Sequence, residues 1–154
     1  MEKKVADSRT TMTEVVLPND TNVYGNILGG KVMHLIDIAA AISAYRHCRK
    51  PVVTVSVDSL RFHHSIKMGH IIMLEACVTR AFTTSMEVEV VVYSEDPLSG
   101  ERKRTSTAFL TFVAIDEHGK PSPVDSIVPG TAEEKRRYQE AERRRRRRLQ
   151  QSRE

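Results

Sequence analysis

The sequence predicts an α+β fold, an antiparallel sheet of about five strands wrapped around one long central helix. Two observations carry that prediction. Between Lys31 and Tyr45 the residues Val32, Met33, Leu35, Ile36, Ile38, Ala39, Ala40, Ala41, Ile42 and Ala44 leave no wide polar face, so a helix here is expected to be enclosed by protein on most sides. From Val52 onward the apolar period changes to two, and four strand-like segments follow, enough to supply that enclosure.

Taken in order, Met1 to Arg9 is charged and lacks the apolar core of a signal peptide. Thr10 to Leu17 is rich in Thr and Val and stops at Pro18, which reads as an edge strand ended by a residue that cannot donate a ladder hydrogen bond. Asn19 to Gly25 concentrates Asn, Asp, Thr and Gly and predicts a structured loop. The Gly29-Gly30 pair permits close backbone approach ahead of the helix, which is expected to end near Cys48 to Lys50, before Pro51. Val53, Val55 and Val57 alternate with Thr54, Ser56 and Asp58 in a half-buried strand expected to end near Phe62. His70 to Phe82 and Ser85 to Tyr93 form a hairpin about Thr83-Thr84, and Lys103 to Ile115 is the last strand.

Beyond Lys120 the composition shifts to Pro121, Pro123, Pro129 and Gly130, so residues 8–120 are read as the domain and 121–154 as a linker and an Arg-rich, partly helical tail. Thr131 with Glu134 makes a capping-box pattern. The sizeable apolar residues behind it are Tyr138 and Leu149, and the six consecutive arginines Arg143 to Arg148 repel one another, so the expectation is a solvated, frayed helix. The tail from Thr131 to Glu154 carries ten Lys/Arg against five Asp/Glu, which accounts for the whole net charge of +4 and leaves the domain near neutral. Without aromatic interleaving or an apolar face it is not expected to bind nucleic acid or to insert in a membrane.

Within the apolar helix stands one carboxylate, Asp37, and a buried lone acid is costly unless it is paired or used. Gly25, Gly30 and Lys31 imitate a phosphate-binding loop, but Val32 stands where the magnesium-ligating Ser or Thr belongs. The six histidines show no zinc-ligand spacing, so no metal is expected. Cys48 and Cys77 make no disulfide framework and read as reduced, buried thiols.

The run Asp20-Thr21-Asn22-Val23-Tyr24-Gly25-Asn26-Ile27-Leu28-Gly29-Gly30, followed by Met33 and Asp37, resembles the signature of the hotdog-fold acyl-CoA thioesterases. Val52 to Val55, the Phe62 region, Gly69-His70 and Thr84 to Val88 continue the resemblance, which covers roughly Thr10 to Asp116. It implies an acyl-CoA thioester hydrolase with no cofactor and no serine nucleophile, in which Asp37 is the base or nucleophile and Asn26 orients water or thioester. Gly29 and Gly30 then direct backbone N–H groups at an oxyanion, the alternative being that they only allow tight packing. Asn26 departs from the relatives with Asp at that position, and the choice between general-base catalysis and a transient anhydride stays open. Thr54, Ser56, Phe62, His63, Arg80, Thr84 and Ser85 are the implied contacts to substrate and to its coenzyme A arm. The resemblance also implies self-association as a homodimer or a homohexamer built as a trimer of dimers, with Asn26 and Asp37 facing one pocket from different subunits. With no apolar stretch of membrane-spanning length, a cytoplasmic location is expected. A non-catalytic acyl-CoA sensor of the same fold is the alternative, and it would want a DNA-binding segment that is not found before Ser8.

Overall fold

The computed structural model describes residues 1–152. The elements in order are β1 (Glu2–Lys4), β2 (Thr10–Val15), α1 (Gly29–Cys48), β3 (Val52–Phe62), β4 (Ile71–Ala81), β5 (Ser85–Glu95), β6 (Arg102–Ala114), β7 (Ser126–Val128) and α2 (Ala132–Gln151). Five of the strands make one antiparallel sheet in the order β2-β4-β5-β6-β3. The hotdog arrangement expected from the sequence is present.

Period-two patterning explains how this sheet meets its helix. Met86, Val88, Val90 and Val92 of β5 lie opposite Phe112, Leu110, Ala108 and Ser106 of β6, and the apolar members of both rows are buried. Ile72, Leu74, Ala76 and Val78 of β4 extend that surface. Onto it α1 lays Val32, Leu35, Ile36, Ala39, Ala40 and Ala44, all essentially inaccessible. The three alanines bring the helix axis close to the sheet, and each larger aliphatic contributes about 1.5–3 kcal/mol by leaving water.

Three expectations need correction. The sheet curls around one side of α1 only, so in the single chain Met33 (49% exposed), His34, Asp37 and Tyr45 (45%) lie open. Asp37 is therefore not a buried acid. In β3 the simple alternation fails: the register slips between Thr54 and Ser56 and again between Val57 and Ser59, and Val53, Val55 and Val57 remain 42%, 53% and 47% exposed along an edge strand.

The third correction concerns both ends of the chain. Residues 1–7 and 121–152 are not appendages, because β1 pairs in parallel with β7, and Val5 and Ile127 are buried. His47, at the end of α1, is enclosed there, and its Nε2 meets the Asp125 carbonyl at 2.7 Å. Burial holds its imidazole below the ordinary pKa. The arginine-rich segment is a complete helix docked on the outer face of the sheet. The capping box forms as read, with Glu134 N–H donating to Thr131 Oγ1 at 3.0 Å. Arg144 forks onto Glu87 through Nε and Nη2 at 2.8 and 2.7 Å, Arg148 reaches Asp58 at 2.9 Å, and Arg137 lies 3.6 Å from Glu89. Carboxylates on the sheet replace the apolar residues that the helix lacks.

Candidate active site

The loop before α1 is built by one asparagine. Asn22 Oδ1 accepts from the N–H groups of Tyr24 (3.0 Å) and Asn26 (3.1 Å), while Asn22 N–H donates to the Asn26 carbonyl at 2.8 Å. Gly25 takes φ 77° at the turn, a conformation only glycine adopts freely. Ile27 N–H to Ile66 O (2.7 Å) and Met68 N–H to Gly25 O (2.8 Å) fasten the loop to the segment after β3.

At the start of α1 the N–H groups of Lys31 and Val32 both turn back to Leu28 O, and no side chain caps the helix. The N–H groups of Gly29 and Gly30 have no acceptor among the described residues, so they keep their hydrogen-bonding capacity at the positive end of the helix dipole. Packing within the chain does not demand either glycine. A Cβ on Gly29 would sit 3.9 Å from the Phe62 ring, and one on Gly30 would meet nothing within 4 Å. The tight-packing alternative therefore finds no support inside one chain.

Beside Gly29 opens a cleft of about 310 Å³, walled by Val32, Phe62, His63, His64 and Ser106. Two of the expected substrate contacts, Phe62 and His63, thus stand next to the expected oxyanion position. Ser106 was not anticipated: it is 1% exposed, and its Oγ has no hydrogen-bond partner among the described residues. Its sequence context, an Arg-Thr-Ser-Thr run in a strand, carries no signal that separates it from its neighbours.

Asp37 lies further along α1, where its Oδ1 accepts from Thr54 Oγ1 at 2.8 Å. That bond turns the carboxylate and leaves Oδ2 free. The eight-residue step from Gly29 to Asp37 is about 12 Å of helix, so one chain does not bring its own carboxylate to its own helix start. Asn26 sits in the loop, bridged to Lys67 through the backbone.

The remaining expected contacts lie elsewhere in the chain. Ser56 donates to Asp58 at 3.1 Å, in the neighbourhood where Asp58 meets α2. Arg80 is held by α2, 3.9 Å over the Tyr138 ring and 3.5 Å from Glu142. Thr84 lies in the β4–β5 turn and Ser85 opens β5, and Thr84 O accepts from the N–H of Ala114, beside the C-terminal end of α1. Twenty helical residues, about 30 Å, separate that end from the cleft at the start of α1. Neither cysteine offers a nucleophile: both are buried, and burial pushes the Cys77 thiol up to about 11. Among the described residues no cluster of three metal-ligating side chains occurs, and no helix is long and apolar enough to cross a membrane.

Comparison with known proteins places these features in context. Residues 24–101 match the family described as the thioesterase superfamily. The chain is 48% identical over 128 residues to the uncharacterized acyl-CoA thioester hydrolase YkhA of Bacillus subtilis, covering 83% of this chain and 74% of that protein. It is 40% identical over 139 residues to the mouse (Mus musculus) cytosolic acyl coenzyme A thioester hydrolase, covering 88% of this chain but 36% of the mouse protein. Among solved structures, an apo hexameric acyl-CoA thioesterase superimposes with a TM-score of 0.95 at 47% identity, covering 98% of this chain and 97% of that one. The acyl-CoA hydrolase of Staphylococcus aureus, in complex with butyryl coenzyme A, coenzyme A and coenzyme A disulfide, gives 0.92 at 37%, covering 99% and 93%. Structures of the same S. aureus enzyme exist with an asparagine, an aspartate and a threonine individually replaced by alanine.

Proposed function

The chain belongs to the thioesterase superfamily, and from that premise we propose that it is an acyl-CoA thioester hydrolase that releases a carboxylic acid and coenzyme A. The observation that carries the reading is the Asp37–Thr54 pair: a carboxylate held from one side at 2.8 Å, with its second oxygen free, on an open helix face. Such a group takes a proton from water as the water oxygen attacks the thioester carbon. The resulting oxyanion is received by the unaccepted N–H groups of Gly29 and Gly30. The C–S bond then breaks, and the thiolate takes back the proton that Asp37 carried. Direct attack by Asp37, with water cleaving the anhydride afterwards, uses the same groups in another order. Thioester hydrolysis on either route needs no cofactor beyond the coenzyme A that the substrate itself contains.

The amide partner is better assigned to Asn22 than to Asn26. The asparagine, aspartate and threonine replaced in the S. aureus enzyme have the same separations along the chain as Asn22, Asp37 and Thr54. Two backbone N–H groups fix Asn22 Oδ1, which leaves its NH₂ to donate to the thioester carbonyl.

Because one chain keeps Asp37 about 12 Å along α1 from Gly29, the working site is composite, with Asp37 of one subunit facing the loop and helix start of another. The open row of Val53, Val55 and Val57 on the free edge of β3, together with Met33 and Tyr45, is the apolar surface such a partner covers. A homodimer, or a hexamer of three such dimers, meets this need, and a hexamer is the state of the structural relative described above. A cytoplasmic location follows the cytosolic mouse relative.

A panel of acyl-CoA thioesters with detection of released thiol tests the activity. In a folded Asp37→Ala protein turnover is expected to fall by roughly two to four orders of magnitude. Near wild-type hydrolysis by that variant removes the mechanism.

A further inference from the structure

The six-arginine run has a use that acyl-CoA hydrolysis does not absorb. Where the C-terminal turns of α2 cross β3, Arg61, Arg144, Arg147 and Arg148 converge with Phe109 on a cleft of about 380 Å³, on the face of the sheet opposite α1. Two of these guanidinium groups are committed: Arg144 is forked onto Glu87 and lies 3.7 Å over the Phe109 ring, and Arg148 is bound to Asp58. Arg61 and Arg147 are exposed and make no ion pair among the described residues. Asp58 is the one carboxylate that lines the cleft, and Arg148 already occupies it.

We propose that this cleft is a binding site for a small soluble anion bearing two linked phosphate groups, held by Arg61 and Arg147 and bordered by the fixed guanidinium groups of Arg144 and Arg148. Arginine suits phosphate because its planar fork donates two parallel hydrogen bonds, and a guanidinium already oriented by a ring and a carboxylate loses little freedom on binding. The size of the cleft, about 380 Å³, favours a compact ligand over an extended polyanion. Elsewhere on α2, Arg136 is paired with Glu133 and Glu140, and Arg146 with Glu142, so those two guanidinium groups are already matched. Arg143 and Arg145 of the same run also make no ion pair among the described residues, Arg145 lying 4.2 Å over the Phe82 ring, but neither lines the cleft.

Inorganic pyrophosphate is the probe, titrated calorimetrically into the full-length protein at low salt without coenzyme A, which itself carries two linked phosphates, and the Arg61 and Arg147 variants separate this cleft from the substrate cleft. Saturable binding is expected, weakened about tenfold or more in Arg61→Gln and in Arg147→Gln, the scale of one lost charge-assisted contact, and weakened less in Arg147→Lys. Pyrophosphate is also expected to raise the melting temperature of the wild type and not of the double variant, since a ligand that binds only the folded state stabilises it. Neither arginine has a partner to lose, so the variants fold. No binding overturns the proposal, and so does binding that both glutamine variants retain in full. Tighter, steeply salt-dependent binding of a single-stranded 20-nucleotide DNA, lost in the same variants, overturns it in favour of an extended polyanion. The outcome is independent of thioesterase activity, which is measured separately.

Discussion

Two helices of 20 residues lie on opposite faces of one sheet, and they are held by opposite physics. α1 buries aliphatic side chains and leaves its single carboxylate, Asp37, exposed. α2 has one buried residue, Ala141, and is clasped to the sheet by arginines set on Glu87, Glu89 and Asp58, with Arg80 returning from the sheet onto Tyr138. An apolar contact tolerates gradual loss. A desolvated ion pair does not, because removing one partner strands the other without water.

The largest effect on stability is therefore expected at Glu87, which is 1% exposed and also accepts from Thr79 Oγ1 at 2.7 Å. Glu87→Ala should cost about 3–5 kcal/mol in denaturant unfolding. Replacing both partners, Glu87→Leu with Arg144→Leu, should be nearly neutral by the same measurement. Equal losses in the single and double variants would mean that α2 docks by shape and not by charge.

This contrast also explains what was legible in the sequence. α1 was readable because its residues carry their own reason to be buried, and the strands were readable because period-two patterning is local. The docking of α2 depends on pairs 57 and 90 residues apart, Arg144 with Glu87 and Arg148 with Asp58, and Glu87 and Glu89 alternate with valines just as they would on a solvent face. The available signal was their place in the central strand of five, whose outer face another element covers, together with the run of six arginines downstream. At the site, Asp37 and the glycines stood out as residue types in a helical frame. Asn22 and Asn26 are equivalent by composition, and the turn alone shows that Asn22 is the one that organises the loop. Within one chain Arg80, Thr84 and Ser85 stand away from the cleft at the start of α1, Arg80 against α2 and the other two near the C-terminal end of α1.

A smaller effect belongs to Glu89. Burial raises its pKa, and the attraction of Arg137, at 3.6 Å, offsets that only in part. A carboxyl whose folded pKa lies above its unfolded value near 4.3 adds stability below that unfolded value and loses it as pH rises through the folded one. Stability followed across the acid range should therefore carry a decline with rising pH that Glu89→Gln removes. An unchanged profile in the variant would assign the decline to another group. The smallest effect is expected on the open side of α2, where an exposed Arg136 meets a half-buried Glu140 at 3.0 Å. Arg136→Ala should change stability by less than about 0.5 kcal/mol, and a larger loss would show that the outer pairs share the burden of the inner ones.

The central claim is that the carboxylate on α1 and the amide on the preceding loop act on one thioester from different subunits. Asp37→Ala chains and Asn22→Ser chains, the latter keeping an oxygen for the turn, should each be inactive alone. Equal mixtures with subunit exchange allowed should recover about a quarter of wild-type turnover, because half the symmetric dimers are mixed and each mixed dimer has one intact site. Thiol release from acyl-CoA by that mixture is the most direct measurement: recovery on this scale is the predicted result, and mixed oligomers that demonstrably form yet stay as inactive as their parents would contradict it.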